Sequence, residues 1–559
     1  NYNYIKYLEE GIKDNWNVLA LADYKKTPIS YGDLAESIYR LHSHFDACGL
    51  QKGDKVVLLG KNSLNWAKVF ISVITYGAVI VPLLPDFKSE AVYSLVAHSD
   101  AKFLFTSGFI FNKLDTKELD GLDAVISIES FQVLEEFGDT QTSEAMKSSE
   151  EIFEKKYLPN LSSTKFKLGK IKADDLMILS YTSGTSGVPK GVMIPHRSIA
   201  ANVWYGRKYM PLETGDPVLS FLPLAHMYGC AFEFLYPLTL GCFITLLGRV
   251  PSPNIIMQAF ADIKPRLILT VPLVIEKVYK NKIKPQIETT KVKAALKVPI
   301  LRTQVLKKIN KSITESFGGN FKEIVIGGAP FNPEVEDFFK ATKIRFSTGY
   351  GMTECGPLIS YTGWKKRKMY SAGKRVDTLK VKVISRDQYN IPGEVLVKGD
   401  PVMLGYYKNE KLTSQVIDAD GWLHTGDLGI VDKDGTISLK GRSKSMILGP
   451  SGQNIYPEEI EAVADTFKLV GQSLTVEREG KLHILVHPDE MAVKSLKLDA
   501  EKVKDTIEGY LDPINEKMPS YMHVSKIEVL EEPFELTPKN SIKRFLYTTE
   551  NYQVHRVKD

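Results

Sequence analysis

Residues 180–191 read Ser-Tyr-Thr-Ser-Gly-Thr-Ser-Gly-Val-Pro-Lys-Gly. An apolar run of strand type precedes this stretch at 176–181, and another resumes at 192–194, so we expect a loop between two strands. Its glycines let the backbone approach an anion closely, and its hydroxyl groups offer hydrogen bonds. The stretch therefore predicts a phosphate-binding loop that ends in the mobile charge of Lys190.

Two other interpretations compete for this loop. A Walker loop is excluded, because it needs Gly-Lys-Ser/Thr before a helix, whereas Pro189 precedes Lys190 and a strand-like run follows Gly191. A Ser- and Gly-rich hairpin without a function has the same composition. The choice between a hairpin and a binding loop depends on the rest of the chain.

Five further motifs follow in order. They are 324–330 (Ile-Val-Ile-Gly-Gly-Ala-Pro), 346–357 (Phe-Ser-Thr-Gly-Tyr-Gly-Met-Thr-Glu-Cys-Gly-Pro), 424–429 (His-Thr-Gly-Asp-Leu-Gly), 440–444 (Lys-Gly-Arg-Ser-Lys) and 452–461 (Gly-Gln-Asn-Ile-Tyr-Pro-Glu-Glu-Ile-Glu). With the loop, they resemble the adenylate-forming superfamily of acyl-CoA synthetases, peptide-synthetase adenylation domains and luciferases. The resemblance spans about residues 28–546. The run Leu-Pro-Leu-Ala-His at 222–226 is most similar to long-chain fatty acid–CoA ligases.

The resemblance implies an ATP and AMP site. A carboxylate such as Asp427 can accept hydrogen bonds from two ribose hydroxyls, and the ring of Tyr350, between two glycines, can lie against a base. Glu354 is a hard oxygen ligand suited to Mg²⁺, with Thr185 as a second implied metal contact. The implied nucleotide contacts are Thr182, Ser183, Gly184, Thr185, Ser186, Lys190, Gly328, Ala329, Pro330, Tyr350, Gly351, Met352, Thr353, Asp427 and Arg442.

The resemblance also implies catalytic roles for Lys190, His226 and Glu354, an interdomain hinge at Lys444, and a coenzyme A side formed by Ser451, Gly452 and Gln453. His226 would lie beside the acyl group, or serve as an ordinary histidine at a strand end. The ATP, Mg²⁺ and coenzyme A that the family uses are the expected cofactors and co-substrate.

One position departs from the family pattern. The family has a C-terminal catalytic lysine where this chain has Ser541. In an extended backbone, residues 539, 541 and 543 point to one side, so a long side chain beside position 541 can reach the same oxygens. Lys543 is the first candidate for the role and Lys539 the second, while loss of the role or two solvated surface charges are the alternatives.

The implied reaction has two steps. A carboxylate attacks the α-phosphate of ATP to give acyl-adenylate and pyrophosphate, and a thiol, usually coenzyme A, then displaces AMP. The segment Cys230–Leu235 is largely apolar, which favours a medium- to long-chain fatty acid. Alternatives are a carrier protein as acceptor, an aromatic or small carboxylate, a luciferase-like or amino-acid-adenylating enzyme, and a non-catalytic homologue.

Alternating strands and helices predict the fold class. Lys55–Leu59, a helix capped by Ser63 and a strand over 78–83 form one β-α-β unit. We expect a large, doubly wound α/β body with a β-rich end over residues 1–440, and a small, mobile α+β domain over 441–559. In the small domain, helices are predicted over 457–464 and 499–511. The polar stretch 139–165 is expected to be a surface excursion.

Composition limits the classes of molecule that the protein is expected to bind. A formal net charge of +5 argues against a nucleic-acid binder, and four cysteines without paired spacing predict neither a zinc site nor disulfides. The first residues lack the pattern of a secretory leader, so we expect a cytoplasmic location. The sequence does not indicate an oligomeric state.

Residues 277–311 carry eleven Lys or Arg and one acid, Glu288. They predict a solvated helical face or a peripheral contact with an anionic membrane.

Overall fold

The computed structural model describes residues 2–183, 189–248, 253–448, 453–537 and 541–547. The strands are β1 (Leu19–Asp23), β2 (Ile29–Ser30), β3 (Lys55–Leu59), β4 (Val79–Leu83), β5 (Ala101–Thr106), β6 (Ala124–Ser127), β7 (Val133–Glu136), β8 (Leu176–Ser183), β9 (Pro189–Pro195), β10 (Pro217–Ser220), β11 (Phe243–Leu246), β12 (Leu267–Thr270), β13 (Glu323–Ile326), β14 (Phe346–Gly351), β15 (Leu358–Tyr361), β16 (Leu379–Ile384), β17 (Gly393–Gly399), β18 (Gly405–Tyr406), β19 (Leu423–Val431), β20 (Ile437–Arg442), β21 (Ile447–Leu448), β22 (Asn454–Ile455), β23 (Val470–Arg478), β24 (Lys481–Pro488) and β25 (Val524–Val529). The helices are α1 (Tyr4–Asp14), α2 (Tyr31–Ala47), α3 (Leu64–Tyr76), α4 (Ser89–Ser99), α5 (Gly108–Phe111), α6 (Thr142–Ile152), α7 (His196–Tyr209), α8 (Met227–Gly229), α9 (Tyr236–Leu238), α10 (Pro253–Ile263), α11 (Pro272–Val278), α12 (Lys284–Ile287), α13 (Thr290–Lys297), α14 (Pro299–Ser316), α15 (Pro333–Ala341), α16 (Glu410–Val416), α17 (Pro457–Ala464), α18 (Glu490–Leu496), α19 (Ala500–Glu508) and α20 (Leu511–Asn515).

Three sheets build the α/β body, and a fourth forms its β-rich end. The largest sheet has the order β18-β9-β8-β4-β3-β5-β6-β7, with parallel strands at its centre and the antiparallel β8–β9 hairpin towards one edge. The second and third sheets have the orders β12-β13-β14-β15 and β10-β11-β1-β2. The end of the body is the antiparallel sheet β16-β17-β19-β20. The predicted architecture is confirmed.

The predicted β-α-β unit shows how the sequence determines this body. Ser63 caps α3 by accepting a hydrogen bond from the backbone N–H of Trp66, and Gly77 ends the helix with a left-handed φ of 93°. β3 and β4 then pair in parallel, and every side chain of β4 is buried. Within the described residues, the structure contains no helix with the length and apolar character needed to cross a membrane.

The stretch 139–165 lies at the surface, as its polarity suggested, but it contains a helix that packs on the body. Helix α6 packs against α2, where Ser149 Oγ lies 2.6 Å from the Nδ1 atom of the buried His44. Phe153, which follows α6, is 1% exposed. A few apolar residues are enough to bury one face of this helix. Because most of its residues are polar, the sequence pattern did not indicate that face.

A separate hydrophobic core holds the small C-terminal part together. β23, β24 and β25 form its sheet, and α17 spans the residues that the sequence predicted. Helix α18 was missed, and the helix predicted over 499–511 is divided into α19 and α20. The boundary at 441 stays a prediction. β20 continues to Arg442 within the sheet of the body.

A docking interface joins the body to the small part. The Nδ2 group of Asn332 donates to the carbonyl oxygen of Ala462 at 2.5 Å, Lys284 Nζ donates to that of Thr466 at 3.3 Å, and Lys280 Nζ donates to that of Val470. We call these contacts, with the two carboxyl groups beside them, the docking interface.

The two carboxyl groups are Glu276 of α11 and Asp465, which follows α17. Burial raises the pKa of Glu276 to about 7, against the opposing effects of the backbone N–H of Asn332 and the charge of Lys280. Burial also raises the pKa of Asp465 to about 7, with further increases from Glu461 and Glu276. Both groups therefore favour the folded state more when they are protonated than when they are charged.

Replacing Glu276 by glutamine is expected to change the pH dependence of stability. Because its pKa is raised on folding, the wild-type carboxyl contributes stability below its unfolded pKa, and this is lost as pH rises towards 7. Glutamine keeps the acceptor for Asn332 without the charge, so the variant should gain about 1–3 kcal/mol relative to wild type at pH 8. Thermal unfolding at pH 5, 6.5 and 8 measures the difference. A difference that does not grow with pH contradicts the assignment.

Candidate active site

The phosphate-loop strands lie where the sequence predicted. Thr182 of β8 pairs with Lys190 of β9, and the backbone of Ser183 pairs with Pro189. Gly184, Thr185 and Ser186 lie outside the described residues. Burial, followed by the nearby charge of Lys444, lowers the pKa of Lys190, while Glu354 opposes the shift. Lys190 and Lys444, predicted as catalytic residue and hinge, are thus electrostatic neighbours.

Tyr406 lies between Lys190 and Glu354. Its hydroxyl donates to Glu354 Oε1 at 2.9 Å, and the Lys190 ammonium lies 5.4 Å from its ring centroid. Glu354 itself belongs to a 3₁₀ turn, Thr353–Cys355, directly after β14. The structure therefore brings together two residues that are 164 positions apart through a third residue that the sequence analysis missed. The only local signal was the Gly-Tyr-Tyr run at 405–407.

A second cluster brings the two predicted ribose contacts, Asp427 and Arg442, together with the predicted base contact Tyr350. Tyr350 donates its hydroxyl to Asp427 Oδ2 at 2.7 Å, and Arg442 Nε lies 3.2 Å from Asp427 Oδ1. The last pair is a cross-strand pair of β19 and β20. Burial raises the pKa of Asp427, while Arg442 and Tyr350 oppose that shift. Tyr350 is buried, so its contact with a base stays a prediction.

The glycine turn after β13 lies next to this cluster in the sheet, because β13 and β14 are parallel neighbours. Gly328 has a φ of 90°, a left-handed conformation that favours glycine. Ala329 and Pro330 are exposed beyond it. After β14, Gly351 is exposed, Met352 is half-buried and Thr353 is buried.

The predicted acyl-side segment contains more polar structure than its sequence suggested. His226 is half-buried and directly precedes α8, and the Tyr228 hydroxyl donates to the Val325 carbonyl oxygen at 3.0 Å. Glu233 is 1% exposed, and its Oε2 accepts the backbone N–H of Leu222 at 3.1 Å. Burial raises the pKa of Glu233 well above its ordinary value. Tyr228 and Glu233 were not singled out from the sequence, since nothing local showed what they contact.

The C-terminal candidates are only partly described. Lys543 Nζ forms an ion pair with Glu535 at 3.1 Å, and Ser541 is exposed. Gln453 is also exposed. Lys539, Ser451 and Gly452 lie outside the described residues. In this arrangement Lys543 is held by an acid of its own domain, and its predicted role stays a prediction.

The donor groups fit a magnesium ion carried by nucleotide phosphates. Across the described ranges, no cluster of three or more His, Cys, Asp or Glu side chains can hold a metal alone. Mg²⁺ is usually bound through one or two carboxylates together with substrate phosphates. Glu354, with one oxygen held by Tyr406 and a lysine nearby, matches that arrangement.

Similar proteins share this architecture. The crystal structure of the anthranilate CoA ligase AuaEII in complex with anthranoyl-AMP superposes with a TM-score of 0.75 at 18% identity, covering 97% of this chain and 96% of that one. The long chain acyl-CoA synthetase 6, peroxisomal, of Arabidopsis thaliana is 29% identical over 495 residues, 84% of this chain and 68% of the relative. The 4-coumarate-CoA ligase 1 of Narcissus pseudonarcissus is 27% identical over 454 residues, 78% and 74%.

The fold is therefore that of the adenylate-forming class. Residues 8–407 match the model of the AMP-binding enzyme family, and the chain belongs to that family.

Proposed function

We propose that this protein is an AMP-forming acid–thiol ligase, which activates a carboxylic acid with ATP to an acyl-adenylate, releases pyrophosphate, and then forms a thioester with coenzyme A. The observation that carries the proposal is the approach of Lys190 to the ring of Tyr406 and of Glu354 to its hydroxyl. ATP, Mg²⁺ and coenzyme A are its cofactors and co-substrate, in keeping with its family.

Each group of residues binds the part of the substrates that its chemistry suits. Lys190 and the hydroxyls beside it hold the β- and γ-phosphates, and Asp427 with Arg442 holds the ribose. Mg²⁺, when bound, cancels charge on the phosphates and orients them. His226 lies on the side of the carboxylate substrate. Alignment of the two anionic reactants and stabilisation of developing charge supply most of the rate enhancement.

A medium- to long-chain fatty acid is the proposed substrate. Support comes from the mostly apolar Cys230–Leu235 segment and from the similarity to a long chain acyl-CoA synthetase. A second candidate is an aromatic carboxylate, which is favoured by similarity to a 4-coumarate-CoA ligase and to the fold of an anthranilate CoA ligase. A carrier protein is the alternative acceptor.

ATP–pyrophosphate exchange across C2 to C18 fatty acids, aromatic acids and amino acids tests the proposal. A maximum of kcat/KM at C8 or longer, with thioester formation on addition of coenzyme A, is the expected result. A maximum for 4-coumarate or benzoate selects the aromatic alternative, and acyl-adenylate that coenzyme A does not consume selects a carrier protein. No exchange with any acid overturns the proposed function.

A peripheral membrane contact is also part of the proposal. At the junction of α13 and α14, the exposed side chains of Val298, Ile300 and Leu301 lie close in sequence to the exposed Lys297 and Arg302. Apolar side chains within a basic surface suit an anionic lipid interface, where each cation contributes about 1 kcal/mol.

Reversing the charge of Lys297 and Arg302 to glutamate is therefore expected to abolish sedimentation with phosphatidylserine vesicles at low salt. The matched control reverses Lys365 and Lys366, which lie elsewhere on the body. Equal sedimentation of wild type with anionic and neutral vesicles removes the membrane contact from the proposal.

A further inference from the structure

A short segment, 403–407, connects the two parts of the candidate active site through its backbone. The N–H of Met403 donates to the carbonyl oxygen of Glu354 at 2.8 Å. Gly405 and Tyr406 pair with β9 next to Lys190, and the N–H of Tyr407 donates to the Gly191 carbonyl oxygen at 2.8 Å. Lys190 belongs to β9 of the largest sheet, whereas Glu354 lies in the turn after β14 of another sheet, and this segment connects the two.

The side chain of Tyr406 completes that connection. It is 6% exposed, its hydroxyl is bonded to Glu354 Oε1, and its ring lies under the Lys190 ammonium. Its backbone N–H donates to Thr413 Oγ1 at 2.9 Å, which fixes the strand. Gly405 has a φ of 141°, and a Cβ there would meet Thr413 Cγ2 at 2.7 Å, so only glycine allows this close approach.

We propose that Tyr406 is a positioning residue that orients the Glu354 carboxylate and the Lys190 ammonium before magnesium and the nucleotide phosphates bind. This inference rests on the proposed function. A hydrogen bond from the Tyr406 hydroxyl fixes one oxygen of Glu354 and leaves the other for the ion. Groups that orient a metal ligand typically contribute 10–100-fold in metal affinity or activity. The ring face adds a cation–π contact that holds the ammonium near the phosphates.

The test compares Tyr406→Phe with Tyr407→Phe. Each variant removes one hydroxyl that donates to a carboxylate, but Tyr407 bonds to Asp100, which lies outside the site. Calorimetry measures ATP affinity with Mg²⁺ and with EDTA, and AMP affinity separately. In Tyr406→Phe, the gain in ATP affinity on adding Mg²⁺ should shrink by about tenfold or more. ATP affinity in EDTA and AMP affinity should stay within about twofold, because the ring remains.

Kinetics and a double variant give independent readouts. The KM for MgATP should rise in Tyr406→Phe and fall back towards the wild-type value as Mg²⁺ is raised. In a Glu354→Ala background, Tyr406→Phe should have no further effect on Mg²⁺-dependent binding, since the group that it orients is absent. This double-mutant cycle distinguishes a role of Tyr406 in positioning Glu354 from a loss of packing around the Tyr406 ring.

Each outcome decides one statement. Wild type without Mg²⁺-dependent ATP binding refutes the proposed function itself. If wild type shows that binding and Tyr406→Phe behaves like Tyr407→Phe, the positioning role is wrong and the proposed function stands. An equal loss of AMP affinity in Tyr406→Phe also refutes the inference, because it indicates general damage to the site.

Discussion

Replacing Glu354 by glutamine, or Lys190 by alanine, is expected to slow acyl-adenylate formation by about 10²–10³, because each variant removes a charged group that stabilises the transferring phosphate. Lys190 lies at the start of β9 and Glu354 in the turn after β14, and neither side chain belongs to the hydrophobic core, so the fold should be retained. Glutamine keeps the acceptor for the Tyr406 hydroxyl and removes only the charge. ATP–pyrophosphate exchange at saturating acid and MgATP measures the effect.

The neighbouring surface offers matched controls. Glu410 and Lys411 are exposed at the start of α16, and Glu410→Gln and Lys411→Ala change the same charges away from the site. Both controls should exchange pyrophosphate at the wild-type rate. Wild-type exchange in folded Glu354→Gln and Lys190→Ala would remove these residues from the proposed mechanism.

Replacing Lys543 by alanine is expected to reduce adenylation by at least about two orders of magnitude while thioester formation from supplied acyl-adenylate continues. The reason is that a mobile ammonium at this position would neutralise carboxylate and α-phosphate oxygens in the first step only. To do so, Lys543 must leave its ion pair with Glu535. This ion pair is exposed to solvent and is therefore weak. Separate assays of the two half-reactions measure the split.

A rescue experiment makes this prediction sharper. If position 541 is where a lysine belongs, Ser541→Lys should restore adenylation in the Lys543→Ala background. Glu535→Gln, which only releases Lys543, should leave adenylation at the wild-type level or above it. Lys539→Ala tests the second candidate in the same assay. If Lys543→Ala and Lys539→Ala are both active, the assignment of a C-terminal lysine is wrong.

Local sequence patterns predicted those helices and strands whose caps, turns and apolar residues all lie within one segment. Ser63 and Gly77 define the ends of α3, and apolar runs on both sides of the 180–191 loop predicted the β8–β9 hairpin. The helix from Pro457 was predicted in full. In each case the cap, the turn and the burial pattern lie within one short segment, so neighbouring residues determine the conformation.

The missed features depend on residues that are far apart in the chain. Tyr406 gains its significance from Glu354, 52 positions away, and Glu233 from the backbone of the loop before His226. Sequence spacing does not show which strands become neighbours, because sheet order differs from chain order. Individual motifs therefore predicted which residues form the site, while the tertiary fold shows which residues hold them.

Two lysines of the docking interface belong to the segment that is proposed to contact a membrane, so the two interactions compete for the same side chains. Lys280 and Lys284 belong to the basic segment 277–311, yet both donate to backbone carbonyls of the small domain. If an anionic membrane attracts that segment, undocking makes Lys280 available to it, while Lys284 keeps its ion pair with Glu334 of the body. Lipid binding and undocking would then be thermodynamically reciprocal, each shifting the equilibrium of the other by the same factor. An anionic surface would bias the enzyme towards its undocked state, which scattering measurements with soluble anionic lipid can detect.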